Sequence, residues 1–126
     1  NVDAINPEIW KNVNEEKIEL LTMDAYSQEA LDAVAELGVS YDVIINDGDV
    51  SLKSQLFVVE KYIQYLTPEG IIVLESLPTF SFISDLKVIM DKFHWKWKLY
   101  DYRVNSDVSD DMIYVMSNGT RINIID

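Results

Sequence analysis

The sequence predicts an α/β fold built on a mostly parallel sheet with one antiparallel strand at its C-terminal end. Apolar runs of strand length alternate with stretches in which apolar residues recur at helical spacing. The runs are apolar on both faces, which is typical of parallel strands covered by helices on both sides. The last two strand candidates are joined by a polar loop over residues 105–111. A parallel crossover needs a dozen or more residues, so we expect these two strands to pair antiparallel.

The first half of the chain contains two predicted strands and the starts of two predicted helices. An apolar strand over residues 18–23 precedes Ser27, an N-cap candidate, and the helix that follows ends at Gly38. A buried strand over residues 41–45 precedes Ser51, the N-cap candidate of the next helix.

The second half supplies the remaining elements. An apolar stripe with alternating steps of four and three predicts a helix over residues 52–66. A buried strand over residues 71–75 follows, and then a helix over residues 82–93. Two strands over residues 95–104 and 112–116 close the series. No internal repeat or linker interrupts these elements, so the sequence predicts a single domain.

Composition limits the function. The 126 residues include 10 Lys and Arg against 22 Asp and Glu, a net charge of −12. Such an acidic chain repels phosphate backbones and anionic lipid, so we expect neither a nucleic acid nor a membrane as partner. Cys is absent, which excludes disulfides and thiolate chemistry. The sequence shows no signal peptide and no apolar run of about 18 residues, and we expect a cytoplasmic protein.

Acidic residues directly follow the predicted strands. They are Asp3, Asp24, Asp47, Asp49 and Glu75. In open α/β sheets ligands bind beyond the carboxyl ends of the strands, where these side chains would converge. Each acid has an alternative role, because Asp also caps helix N-termini and stabilises turns. Repulsion among converging carboxylates must be offset by a cation or by ligand hydroxyl and amino donors.

Five sequence segments, taken in their order and spacing, resemble the later part of a known family. They are Val-Asp-Ala-Ile-Asn-Pro-Glu at 2–8, Met-Asp-Ala-Tyr-Ser at 23–27, Tyr-Asp-Val-Ile-Ile-Asn-Asp-Gly-Asp at 41–49, Leu-Thr-Pro-Glu-Gly-Ile-Ile-Val-Leu-Glu-Ser at 66–76 and Asp-Asp-Met-Ile-Tyr-Val at 110–115. Together they are similar to the Rossmann-like S-adenosylmethionine-dependent methyltransferases, in the branch related to macrolide and sugar O-methyltransferases and the cephalosporin hydroxylase group.

The resemblance implies O-methyl transfer from S-adenosylmethionine to a small-molecule substrate and assigns roles to the acids. Asp3 matches the residue that binds the ribose hydroxyls, and Asp24, with Ala25, matches the one that receives the adenine amino group. Asp47 matches the catalytic carboxylate that faces the methyl-transfer centre and in metal-dependent relatives ligates a divalent cation. Glu75 matches a second metal ligand, and Asp49 is a further candidate. Such oxygen ligands suit Mg²⁺, which eases deprotonation of a substrate hydroxyl.

The chain also departs from the family. The family's first strand and glycine-rich loop should precede Asp3, yet no glycine occurs before Gly38. Relatives often have His where Val50 stands and Asp where Ser76 stands. We therefore expect an N-terminally truncated methyltransferase sheet that binds S-adenosylmethionine weakly or not at all.

Two other functions stay open, and they come from different classes. One is a catalytically inactive methyltransferase-like module for binding or assembly, which the missing glycine loop favours. The other is a phospho-acceptor receiver domain with Asp47 as the acceptor. The missing central strand also predicts a rearranged sheet. Either residues 18–23 or the N-terminal segment pairs with residues 41–45, or a second copy of the chain does so in a homodimer.

Overall fold

A computed structural model of the protein describes residues 18–103 and 112–117. The chain divides into two compact units, residues 1–37 and residues 38–126. Asp3 and the predicted loop over residues 105–111 lie outside the described residues.

The described part of the first unit contains one helix, α1 (Gln28–Glu36). Its predicted N-cap is confirmed, because the Ser27 side chain accepts a hydrogen bond from the Ala30 N–H at 3.2 Å. The predicted strand over residues 18–23 is wrong, since these residues form no regular structure and most are exposed. Apolar, β-favouring residues form a strand only where a neighbouring strand pairs with their backbone. The predicted pairing of this segment with residues 41–45 is therefore also wrong.

The second unit is built on an open four-stranded mixed sheet. Its strands are β1 (Tyr41–Asn46), β2 (Leu66–Glu75), β3 (Lys96–Asp101) and β4 (Met112–Ser117). The spatial order is β1-β2-β4-β3. β1 and β2 are parallel, and β4 is antiparallel to both β2 and β3. Three strands therefore run in one direction and β4 in the other, which confirms the predicted α/β class and its antiparallel C-terminal strand.

Two helices connect the first three strands, namely α2 (Leu52–Lys61) and α3 (Ser81–Lys92). The predicted end of the first helix is wrong. A 3₁₀ helix (Tyr62–Tyr65) follows α2, and Leu66 already begins β2, where it pairs with Tyr41. Proline disfavours helical backbone in the residue before it, so Pro68 favours an extended chain earlier than the apolar stripe predicts.

Both helices lie on one face of the sheet. Asn46 at the end of β1 bonds to Gln55 of α2, and Lys87 of α3 lies 5.6 Å from the centre of the Trp97 ring in β3. Successive crossovers that move in the same direction across a sheet place their helices on the same side. The core between the helices and the sheet consists of fully buried side chains, namely Val59, Ile72, Leu74, Leu86, Met90, Tyr114 and Met116.

The opposite face of β1 is open. Val43 and Ile45, which alternate with the helix-covered residues, keep 42% and 57% of their surface exposed. In the described part of the second unit, helices cover only one side of this strand.

Candidate functional site: a carboxylate pair at the strand ends

Two predicted acids meet where the parallel strands end. Asn46 and Leu74 are partners in the register of β1 and β2, and the next residues are Asp47 and Glu75. The negative charge of Asp47 raises the pKa of the Glu75 carboxyl group, as expected for two acids that follow paired strand ends. The structure thus brings together the residue predicted as catalytic and one of its predicted metal-binding partners.

Glu75 differs from an isolated glutamate in its acid–base behaviour. The pKa of Glu75 is raised, first by the negative charge of Asp47 and then by burial. Two neighbouring carboxylates disfavour double ionisation, so Glu75 holds a proton to higher pH than an isolated glutamate does. A carboxyl group adjusted in this way is suited to accept or donate a proton during a reaction.

The third predicted metal ligand, Asp49, forms hydrogen bonds at the start of α2. The Asp49 carboxylate accepts hydrogen bonds from the Ser51 backbone N–H at 3.0 Å and from the Ser51 and Ser54 hydroxyls at 2.8 and 2.6 Å. These bonds lower the pKa of Asp49, and they fix the start of α2, whose N-cap is Ser51. Within residues 18–103 and 112–117, no three acidic or histidine side chains come together in a way that would hold a metal ion.

A buried hydrogen bond between two amide side chains holds the end of β1 that leads to Asp47. The Asn46 side-chain nitrogen donates to the Gln55 side-chain oxygen at 2.9 Å, and Gln55 is fully buried. This contact ties the end of β1 to α2, so the backbone that carries Asp47 is held by a helix as well as by the sheet. A polar residue such as Gln55 beside the apolar stripe of a helix is the sequence signal that could have indicated a buried hydrogen bond here.

The turn after Glu75 has an unusual backbone. Ser76 has φ of +63°, a left-handed conformation that non-glycine residues seldom adopt. Its N–H donates to the Met112 carbonyl at 3.0 Å, which fixes the chain as it leaves β2. Strained backbone of this kind clusters at functional sites. Sequence reasoning missed this feature, because a serine in isolation gives no sign of a positive φ.

A cation–aromatic contact lies at the end of β3. The Arg103 guanidinium forms two 2.8 Å hydrogen bonds with the Asp101 carboxylate and lies 4.6 Å from the centre of the Phe80 ring. Arg103 lowers the pKa of Asp101 to about 2. The contact connects the start of α3 to β3, which ends at the same edge of the sheet as β1 and β2. Sequence analysis did not identify it, because the partners come from separate elements.

The predicted adenine site belongs to the first unit. The Asp24 carboxylate accepts a hydrogen bond from the Tyr26 N–H at 2.9 Å, and the Ser27 hydroxyl donates to the Asp24 carbonyl at 2.6 Å. Asp24 thus stabilises the turn that leads into α1, and Ala25 is an exposed residue of that turn. The predicted ribose ligand, Asp3, lies outside the described residues.

Comparison with known proteins adds no relative to this description. The chain matches no protein-family model and shows no significant similarity to a curated protein. In the part of the chain that the structure describes, none of the helices has the length and apolar character needed to cross a membrane.

Proposed function

We propose that the chain is a Rossmann-like S-adenosylmethionine-dependent methyltransferase domain, or a part of one, which transfers a methyl group to a hydroxyl of a small molecule. The observation that carries this proposal is the Asp47–Glu75 pair at the carboxyl ends of two parallel strands. Ligands of open α/β sheets bind at this edge. The antiparallel β4 agrees with the C-terminal strand direction that the sequence predicts for this domain.

The residues of the pair have complementary roles in this proposal. S-adenosylmethionine, when bound, supplies the methyl group. The Asp47 side chain accepts a hydrogen bond from the substrate hydroxyl and orients its oxygen. Glu75, whose pKa is raised by Asp47 and by burial, takes part in moving the hydroxyl proton. In this proposal Asp47 and Glu75 together take the role of the histidine that relatives often have at position 50.

The adenine site also fits its proposed ligand. The Asp24 carboxylate accepts one hydrogen bond, from Tyr26. An ionised carboxylate has about four acceptor positions, so Asp24 keeps capacity for the adenine amino group. A divalent cation such as Mg²⁺ fits the Asp47–Glu75 pair, with water and substrate oxygens as its remaining ligands.

Titration with S-adenosylhomocysteine, followed by amide chemical shifts, tests the proposal. We expect saturable shifts at residues 24–26 with a millimolar Kd. Asp24→Asn should weaken binding about tenfold, or about 1.4 kcal/mol. The matched control is Glu36→Gln, which removes an exposed acid at the end of α1 and should leave binding unchanged. Equal affinity in Asp24→Asn and the parent would overturn the proposal.

The receiver domain is less well supported. Receiver-type doubly wound sheets are parallel throughout, with helices on both faces, whereas β4 is antiparallel to both its neighbours. The inactive assembly module remains the second candidate. The exposed Val43 and Ile45 on the open face of β1 favour it.

A further inference from the structure

The two edges of the sheet differ in how they are protected. β3 forms one edge and carries Lys96 and Lys98. Lysines on an edge strand oppose the addition of another strand, because pairing would bury their charge. β1 forms the other edge, contains no lysine, and exposes Val43 and Ile45. Among the described strands, lysine side chains therefore oppose association at the β3 edge, and no lysine does so at the β1 edge.

We propose that β1 pairs antiparallel with β1 of a second copy of this chain, about a two-fold axis that passes through Ile44. In that register Val43 lies opposite Ile45 of the second copy, and Asp42 lies opposite Asn46 of the second copy. Directly opposed residues of an antiparallel pair point to the same face of the sheet. The four exposed aliphatic side chains of the two copies therefore form one continuous apolar cluster.

The composition of β1 selects a second copy as the occupant. The strand complements itself at its centre, because Val43 meets Ile45 of the second copy and Ile44 meets Ile44 of the second copy. A register shifted by two residues would instead place Asp42 opposite Ile44, or Val43 opposite Asp47, so that an acid would meet an aliphatic residue. A two-fold contact is also closed, so assembly ends at the dimer and does not continue into fibres.

The charge of the chain gives the dimer a distinctive salt response. Each copy has a net charge of −12, so long-range repulsion opposes association. Salt screens this repulsion over about 10 Å at 0.1 M ionic strength. Dimerisation should therefore strengthen as salt is added, whereas a dimer held by ion pairs would weaken.

Sedimentation equilibrium over a range of protein and salt concentrations tests the dimer. Val43→Lys reproduces on β1 the protection that Lys96 and Lys98 give β3, and it should weaken dimerisation at least about tenfold, or 1.4 kcal/mol. The matched control is Val88→Lys, which places the same charge on a 70% exposed residue of α3 and should dimerise like the parent. A parent that is monomeric at every concentration, or a Val43→Lys dimer as tight as the parent's, would overturn the proposal.

Cysteine cross-linking tests the register without depending on the lysine variant. The chain has no cysteine, so Val43→Cys and Ile45→Cys each introduce a single thiol. Opposed residues have Cα atoms about 4.5–5.5 Å apart, within the range for a disulfide. Mixing the two variants under mild oxidant should give a disulfide-linked heterodimer in much higher yield than either variant alone. Equal yields in all three samples, or no cross-link in any of them, would overturn the register and the pairing.

Discussion

The carboxyl group of Glu75 lies beside that of Asp47, because the register of β1 and β2 ends both strands at the same level. The proximity of two like charges raises the pKa of Glu75 and opposes folding when both groups are ionised. The same proximity makes the pair suitable for proton transfer. The site is therefore expected to lower the stability of the domain at neutral pH.

Replacing Glu75 with Gln tests whether repulsion between Asp47 and Glu75 lowers the stability of the domain. The folded pKa of Glu75 is raised, so the parent has its full stability below the ordinary value of 4.5 and loses part of it as the pH rises through the folded pKa. Glu75→Gln should therefore have a higher Tm than the parent at pH 7 in EDTA, and the difference should disappear in acid. Glu69→Gln, which removes an exposed acid from β2, corrects for the general gain from lower net charge. A gain no larger than in Glu69→Gln would contradict the prediction.

Divalent cations should offset the loss of stability that repulsion between Asp47 and Glu75 causes. A cation bound between Asp47 and Glu75 neutralises their repulsion, and Mg²⁺ at ten times its Kd should add about 1.4 kcal/mol to the free energy of unfolding. The measurement is thermal unfolding with Mg²⁺ or with NaCl at equal ionic strength. Asp47→Asn should lose the response, and Asp85→Asn on the exposed side of α3 should keep it. An unchanged Tm in Mg²⁺, together with an Asp47→Asn variant as stable as the parent, would exclude the metal site.

Local signals were enough to predict much of this fold. The Ser27 and Ser51 caps and the strand beginning at Tyr41 follow from neighbouring residues and from short-range periodicity, and the structure confirms them. The Asp47–Glu75 contact also follows from sequence, because parallel strand ends meet at one edge.

Contacts between distant residues set the limit of prediction. Residues 18–23 have the composition of a strand, but composition cannot supply a pairing partner. The hydrogen bonds that the Asp49 carboxylate accepts from the Ser51 and Ser54 hydroxyls belong to the helix-capping role that the sequence could not separate from metal binding. The Arg103–Phe80 contact was not predicted, because nothing in either segment indicates the other.

Gly70 should be intolerant of any side chain. A Cβ there would lie 2.9 Å from the Leu66 Cδ2 atom, 3.0 Å from the Thr67 carbonyl oxygen and 3.1 Å from the Tyr41 carbonyl oxygen. The two oxygens are backbone atoms at the register shift between β1 and β2 and cannot move far, so Gly70→Ala should cost about 1–3 kcal/mol. Urea unfolding measures the loss, and hydrogen exchange should show weaker protection between β1 and β2.

Gly38→Ala is the control for Gly70→Ala, because its expected loss of stability comes from backbone conformation and not from a steric clash. Nothing lies within 4 Å of a Cβ at Gly38, but its φ of +65° is unfavourable for alanine. This variant should lose stability without weakening protection between β1 and β2. Equal stability of Gly70→Ala and the parent would contradict the steric argument.

The hydroxyl of Tyr114 should be dispensable for stability. Tyr114 is fully buried, and its ring stacks on Trp97 with centroids 5.3 Å apart. Its hydroxyl has no hydrogen-bond partner among residues 18–103 and 112–117. Burial raises the pKa of this hydroxyl, with a smaller contribution from Asp91. Tyr114→Phe keeps the stack and removes an unsatisfied polar group worth about 1–3 kcal/mol, so it should be as stable as the parent or more stable. Tyr114→Leu should be clearly destabilised, and a large loss in Tyr114→Phe would show that the hydroxyl has a partner.

His94 should be replaceable by glycine with a gain in stability. The Trp95 N–H donates to the Met90 carbonyl at 2.9 Å and the His94 N–H to the Asp91 carbonyl at 3.2 Å, a Schellman ending that requires left-handed backbone at His94. The φ of His94 is +57°, which costs a residue with a Cβ about 1–2 kcal/mol. His94→Gly should recover part of this cost in urea unfolding, and His94→Asn a smaller part. His94→Ala, which keeps the strain, should show no gain. A loss of stability in His94→Gly would indicate that the imidazole makes a contact that outweighs the strain.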